Sequence, residues 1–293
     1  MTTEAPAGTA AFVRHRALLF TVAYEMLGSA ADAEDVVQET WLRWADVAHD
    51  EVRDPRAYLV RVTTRLALNR LRTLSRRRES YVGPWVPEPL LTSPDVADDV
   101  ELADSVSTAM LLVLETLAPT ERAVFVLREV FDVPYDQIAT AVGKSPEAVR
   151  QVAHRARSHV QARRPRQEVT RAEQDRVIER FVAAAATGDL QSLLDVLSPD
   201  VVLVTDGGGH KKAALRPILG RDKTLRFLTA VSEGPVAGDV ITVNGAPALT
   251  FPVDGDLDTV ITFHLEDGVV TGLYALRNPE KLGRLGEVTP LRR

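Results

Sequence analysis

Tyr135-Asp-Gln-Ile-Ala-Thr-Ala-Val-Gly143-Lys-Ser-Pro146-Glu-Ala-Val-Arg150 is the stretch on which the reading of this chain turns. A short helix, a turn through Gly143, a cap at Ser145, a Pro at the first helical position and a second helix together predict a helix-turn-helix. At about 100° per residue from Arg150, the side chains of Gln151, His154 and Arg157 share its face. Val149, Val152, Ala153, Ala156 and Val160 fall on the opposite face, so an apolar back packs and a polar front is free for a major groove. Arg150 and Gln151 have the donors to read base edges, whereas Arg155, Arg163 and Arg164 suit phosphate.

The charge pattern around this stretch supports a nucleic-acid partner. The formal net charge of -6 argues against one, but the cations are clustered. Arg61 to Arg78 holds seven arginines and no acid, and Lys144 to Arg166 holds seven basic residues against Glu147 alone. Between them, Glu79 to Asp104 is acidic without a Lys or Arg. Phosphate attraction follows where the cations lie, not the average over the chain.

Upstream, residues 10–80 are expected to form a first helical domain. Leu18, Leu19, Val22, Ala23, Met26 and Leu27 recur at helical spacing, as do Val36, Val37, Thr40, Trp41 and Trp44. Asp32 is expected to cap the second helix, and Pro55 to open a third that runs to about Leu74. On that third helix Arg61, Arg65, Arg72 and Arg76 fall within about 60° of one another, with Tyr58 just before them. Cations beside a stackable ring are what holding a separated strand requires. Residues 81–105, an acidic Pro-rich stretch, are expected to be a linker, and 106–166 a second helical domain.

Beyond Val169 the texture changes. A helix from Arg171 to Thr187 is followed by strand-like runs at 201–205, 239–243, 248–253, 259–265 and 269–276, with a helix at 221–231. Residues 170–293 are expected to be an α+β domain with a mostly antiparallel sheet. The fold class is therefore multidomain, two all-α domains followed by one α+β domain.

At 293 residues, 45% hydrophobic and 26% charged, the chain can bury two or three cores. It has no Cys, no apolar run near the roughly 18 residues of a spanning helix, and no basic-then-apolar start. A cytoplasmic protein without disulfide, membrane anchor or metal is expected; the six His are scattered, and His154 and His159 lie off one-turn spacing. No nucleotide-binding or serine-hydrolase motif is present, and no cofactor is expected.

Further segments carry a resemblance. Asp32-Ala-Glu-Asp-Val-Val-Gln-Glu-Thr-Trp41, Pro55-Arg-Ala-Tyr-Leu-Val-Arg61-Val, and Leu117-Ala-Pro-Thr-Glu-Arg-Ala-Val-Phe-Val-Leu127 leading into the helix-turn-helix resemble regions 2 and 4 of an extracytoplasmic-function (group 4) sigma factor over about residues 10–165. Trp85-Val-Pro-Glu-Pro-Leu90, Asp206-Gly-Gly-Gly209 and Asn278-Pro-Glu-Lys-Leu282 resemble the ECF41 subgroup, the sigma factor J type, and extend the likeness over the whole chain.

That resemblance implies a protein that binds core RNA polymerase and promoter DNA and directs transcription initiation. Asp35, Gln38, Glu39 and Arg43 are then the contacts to the largest-subunit clamp, with the flap as a second polymerase surface. Tyr58, Arg61, Arg65 and Arg72 meet the -10 element; the family often has Trp at the position of Tyr58 and Asn at that of Arg65. Arg150, Gln151, His154 and Arg155 meet the -35 element. The last domain resembles the SnoaL-like branch of the NTF2-like cone fold. Asp206, Gly207, Gly208, Gly209, Asn278, Pro279, Lys281 and Leu282 are its regulatory motifs, standing in for a separate anti-sigma factor. The free chain is expected to be a monomer and not an enzyme.

Two other readings are open to the residues. A free-standing helix-turn-helix regulator with a ligand-sensing domain would bind palindromic duplex DNA unaided. An enzyme would need Asp206 or His264 as a general base; the favoured reading is that Asp206 starts the glycine turn and His264 is a core or surface residue. The basic stripe beside Tyr58, which a simple repressor does not need, favours the sigma factor.

Overall fold

Local capping sets where the N-terminal helices begin. The computed structural model describes residues 7–78, 80–93, 95–96, 99–163, 169–231, 238–253 and 256–293; Asp98, Arg164 and Arg166 and the side chains of Arg76, Arg77 and Arg78 lie outside the described residues. Helix α1 spans Ala7–Leu27, α2 Ala30–Ala45 and α3 Pro55–Arg78. Ser29, not Asp32, caps α2. Its extended backbone (φ -129°, ψ 123°) lets its hydroxyl accept the Asp32 N–H, which leaves Asp32 in the first turn. There the Asp32 carboxylate meets Arg70 of α3 at 2.5 Å.

The apolar stripe of α1 is buried from Leu18 to Leu27, and Val36, Val37, Thr40 and Trp44 of α2 pack with it. Each fully buried Leu or Val of this core contributes about 1.5–3 kcal/mol relative to exposure. Trp44 also donates its indole N–H to the Gly8 carbonyl at 2.7 Å, satisfying a polar atom the core would otherwise strand.

Next along the chain come α4 (Val100–Val106) and α5 (Thr108–Glu115), then α6 (Pro119–Phe125), which runs into a π-type turn at Val126–Val130. Helices α7 (Tyr135–Val142) and α8 (Pro146–Gln161) follow. The expected helix-turn-helix is present in full. Gly143 closes α7 at φ +70°, a left-handed conformation that glycine adopts without strain, and the Ser145 hydroxyl accepts the Ala148 N–H at the start of α8.

The C-terminal region holds α9 (Arg171–Thr187), α10 (Leu190–Val196), β1 (Leu197–Asp206), β2 (Ile218–Leu219), α11 (Arg221–Val231), β3 (Asp239–Val243), β4 (Ala246–Val253), β5 (Asp256–Glu266), β6 (Val269–Leu276) and α12 (Pro279–Leu282). The sheet order is β2-β1-β6-β5-β4-β3. It is antiparallel as expected except that β1 runs parallel to β6, placing Asp206 beside Leu276 at one end of the sheet. Period-2 alternation divides its side chains. Val201, Leu203, Ile261, Phe263, Leu273 and Ala275 pack with α9–α11, whereas Val204, Ala248, Val260 and Leu276 form a second layer on the other face.

That second layer corrects the expected boundaries. The chain divides into two compact units, Met1–Glu79 with Leu111–Arg164 and Pro290–Arg293, and Ser80–Met110 with Pro165–Thr289. The expected linker at 81–105 is therefore not a spacer. Val86 is buried in the second layer of the sheet, and Leu91 packs against it. Leu91 bridges antiparallel to Val243 of β3, and the Thr92 N–H donates to the Thr242 carbonyl at 3.0 Å. Edge strands carry unpaired backbone groups, and a segment too rich in Pro for a helix can still cover one. The last four residues also depart from the expected domain, because Leu291 is buried and the Arg292 N–H donates to Thr21 of α1 at 3.0 Å. No helix among the described residues is long and apolar enough to cross a membrane.

Candidate functional site

The candidate nucleic-acid interface is built on α8. Val149, Val152, Ala153, Ala156 and Val160 are all buried, which orients the helix and leaves Arg150, Gln151, His154 and Arg155 exposed. Arg150 lies 5.7 Å from the Tyr135 ring centroid and 3.9 Å from Glu147, contacts loose enough to exchange for a base edge. Arg155 sits 3.6 Å from Glu121. Arg157, expected on the same front, is instead turned back: its fork takes both oxygens of Glu129 at 2.6 and 3.0 Å. The pair holds the Arg157 charge well above the usual guanidinium range, Glu129 being the cause.

The second cationic helix is α3. Tyr58 is half-buried, its ring 5.5 Å from Trp44, and the Arg61 guanidinium lies 5.0 Å over it. Both line a cleft of about 570 Å³ whose far wall is Val133, Gln137 and Thr140. Arg72 is exposed. Arg65 is exposed but tied to backbone: its Nη2 donates to the Thr140 carbonyl at 2.7 Å and its Nε to the Ala141 carbonyl at 3.4 Å. Among the described side chains of the stripe, Arg61 thus lies beside an aromatic ring, Arg72 is open to solvent and Arg65 holds the end of α7.

On α2, Asp35, Gln38, Glu39 and Arg43 are exposed on one face, together with Leu42, which is 58% accessible. Glu39 and Arg43 pair at 2.7 Å, and Asp35 lies 3.4 Å from Arg70. A charged face around an exposed leucine is suited to a protein partner.

A separate cluster forms around Asp206. Its side chain is fully buried, and Oδ2 accepts from the Lys281 ammonium at 2.7 Å and the Val86 N–H at 2.9 Å. Oδ1 accepts from the Tyr81 hydroxyl at 2.7 Å and the Gly208 N–H at 3.0 Å. Lys281 also donates to the Val86 carbonyl at 2.7 Å and lies 4.8 and 4.4 Å from the Tyr81 and Trp85 ring centroids. Asn278 caps α12 through the Glu280 N–H and donates its amide to the Tyr81 hydroxyl at 2.9 Å. Burial, then the hydrogen bond to Asp206, pushes the Tyr81 phenol well above its usual range.

Three short motifs that are weak singly in sequence are therefore one object. Gly208 is left-handed (φ +59°), and a Cβ there would run into the Asn278 amide, so the turn after Asp206 requires glycine at this point. Leu282 is buried beside Val86, and Pro279 opens α12. Asp206 does start the glycine turn, as favoured, but the turn is its smaller part. A carboxylate already holding an ammonium and three further donors is not poised to take a proton from a substrate. His264 is half-buried with Glu266 at 3.4 Å, and burial lowers its pKa.

The residues that sequence reasoning passed over are buried links. Arg122 is 1% exposed; its Nε donates to the Glu25 carbonyl at 2.9 Å and its Nη1 pairs with Glu115. Burial pulls its pKa down to about 9, still protonated at neutral pH, while Glu25 opposes the shift. An arginine directly before the apolar run Ala123-Val-Phe-Val-Leu127 was the available signal. Tyr81 had none beyond its place beside the prolines. Among the described residues, no group of three or more His, Asp or Glu is gathered to hold a metal.

Comparison with known proteins agrees with this geometry. Residues 11–77 match Sigma-70 region 2 and residues 107–160 match Sigma-70 region 4. The chain is 38% identical over 282 residues to the ECF RNA polymerase sigma factor SigJ of Mycobacterium tuberculosis H37Rv, covering 90% of this chain and 89% of SigJ. It is 36% identical over 284 residues to a probable ECF RNA polymerase sigma factor, SigI, of the same species, covering 94% and 95%. The crystal structure of M. tuberculosis SigJ superposes with a TM-score of 0.77 at 34% identity, over 97% of this chain and 100% of that one. That superposition takes in the C-terminal α+β domain as well as the helical regions.

Proposed function

The chain belongs to the extracytoplasmic-function RNA polymerase sigma factors, and from that membership and the geometry above we propose how its residues divide the work of initiation. It directs transcription from promoters by binding RNA polymerase and promoter DNA. Arg150, Gln151, His154 and Arg155 read the -35 element. Tyr58, Arg61, Arg65 and Arg72 engage the -10 element, with Tyr58 as the stacking ring. Asp35, Gln38, Glu39 and Arg43 dock on the largest-subunit clamp, and the second helical region meets the flap. The protein works in the cytoplasm as a monomer when free, and carries no chemistry of its own.

The observation that carries this reading is the buried back and open front of α8, in one compact unit with the Tyr58–Arg61 pair. Two exposed cationic readers bind weakly and salt-sensitively alone, and a polymerase that fixes their separation turns that weakness into selectivity. The C-terminal domain regulates by holding the linker, through Asp206 and Lys281, in its second layer.

Transcription reconstituted with core polymerase tests the assignment. The whole chain is expected to support promoter-dependent RNA synthesis, and Arg150→Ala with Gln151→Ala to abolish it at -35-dependent promoters. Removing the residues after Arg166 is expected to change the level of that synthesis, and an unchanged level would refute the regulatory role. Tight, selective duplex binding without any gain in RNA from polymerase would instead favour the free-standing regulator.

A further inference from the structure

The last turn of an α-helix leaves its final carbonyls without partners, and the helix dipole makes that end negative. In α7 the Gly143 and Lys144 N–H groups both return to the Ala139 carbonyl, at 2.9 and 3.1 Å. The Thr140 and Ala141 carbonyls come next, and the planar fork of Arg65 supplies both. A guanidinium fits this end in charge and in shape, because its donors diverge at a fixed angle to reach two successive oxygens.

Arg65 lies on α3, the helix of Tyr58 and Arg61, and α7 is the first helix of the helix-turn-helix. We propose that Arg65 is a positioning residue that latches the -10 helix to the helix-turn-helix in the free chain and releases it when polymerase and promoter separate the two readers. The proposal rests on the sigma-factor reading. This contact is a direct hydrogen bond between the two reading regions, which readers held apart on DNA by a polymerase scaffold would not keep. Opening therefore exchanges the Thr140 and Ala141 carbonyls for another acceptor, and phosphate is one that a guanidinium takes well. Arg122, reaching the Glu25 carbonyl on α1, is a second tie between the same two regions, but removing it strands buried charge. Arg65 is exposed, so its replacement tests the latch without unfolding the core.

The absence of cysteine allows a direct measurement. Spin labels at Val13→Cys and Gln161→Cys, both exposed, report the separation of α1 from α8 in the full chain by double electron–electron resonance. Arg65→Asn is expected to raise the ratio of long to short distances about tenfold, as loss of a solvent-screened charged hydrogen bond implies. Arg65→Lys, which keeps the charge and loses the fork, is expected to fall between. An unchanged distribution in Arg65→Asn overturns the latch, and one accompanied by less promoter-dependent RNA makes Arg65 a DNA reader only. Failure of the unlabelled wild-type chain to start RNA synthesis with core polymerase would instead undo the sigma reading beneath it.

Discussion

The face of α8 and the pocket around Asp206 both depend on charge, and they use it in opposite ways. Arg150 and Arg155 are exposed, with partners at 3.9 and 3.6 Å that water and salt can replace. Lys281 and Asp206 are buried, 2.7 Å apart, with the remaining donors and acceptors filled by Tyr81, Val86 and Gly208. A charge kept in water remains available to a phosphate or a base. A charge taken out of water has had its partner chosen by the fold, and removing that partner leaves a large penalty.

That contrast can be broken most severely at Lys281. Lys281→Met is expected to cost about 3 kcal/mol, near the low end for a broken buried pair because three donors to Asp206 remain. Hydrogen exchange at the Val86 amide should rise in step with the urea midpoint's fall, and adding Asp206→Asn should recover part of the loss. A change well under 1 kcal/mol would mean that the ion pair does not hold the linker. On the open face, Arg150→Ala is expected to leave stability unchanged and weaken the polymerase–promoter complex by about 1–3 kcal/mol, confined to the -35 element. Footprinting against promoters altered at that element checks the confinement.

Asp258 sharpens the buried side through pH. Burial raises its pKa, but the Lys211 ammonium at 2.9 Å, Thr259 and the Arg277 fork outweigh it and bring the carboxyl to about 2. Its folded value lies below the unfolded one near 4, so its stabilisation is complete above pH 4 and lost as pH falls toward 2. After allowance for solvent screening, the expected loss is about 1–2 kcal/mol, read as a urea midpoint that falls over that window. Asp258→Asn should flatten this part of the profile. The smallest effect belongs to the turn before α8, where Ser145→Ala removes a cap worth about 0.5–1 kcal/mol and should lower the thermal midpoint without altering the buried cluster.

The helix-turn-helix was legible because its signals are local. Gly143, Ser145, Pro146 and the valine spacing each act within one turn of chain, and the structure has each in its expected place. The Asp206 cluster was legible as three motifs and illegible as a site, since Tyr81 and Asn278 are 197 residues apart and nothing in either segment states the pairing. Where the linker packs was illegible for a related reason. The four prolines of residues 81–95 rule out a regular helix there, but Val86 and Leu91 become core residues only when the sheet edge is there to receive them.

The amino-acid sequence alone thus determined the two helical readers, the strands of the last domain and the face of α8 that is free, because periodicity and capping are properties of neighbouring residues. Tertiary structure decided which charges stay available. Arg65, Arg122 and Arg157 are arginines in helices like Arg150, yet one closes a helix end, one is buried against a carbonyl, and one is held by Glu129. What an arginine does depends on the acceptor within its reach, and that acceptor is supplied by a part of the chain that only folding brings near.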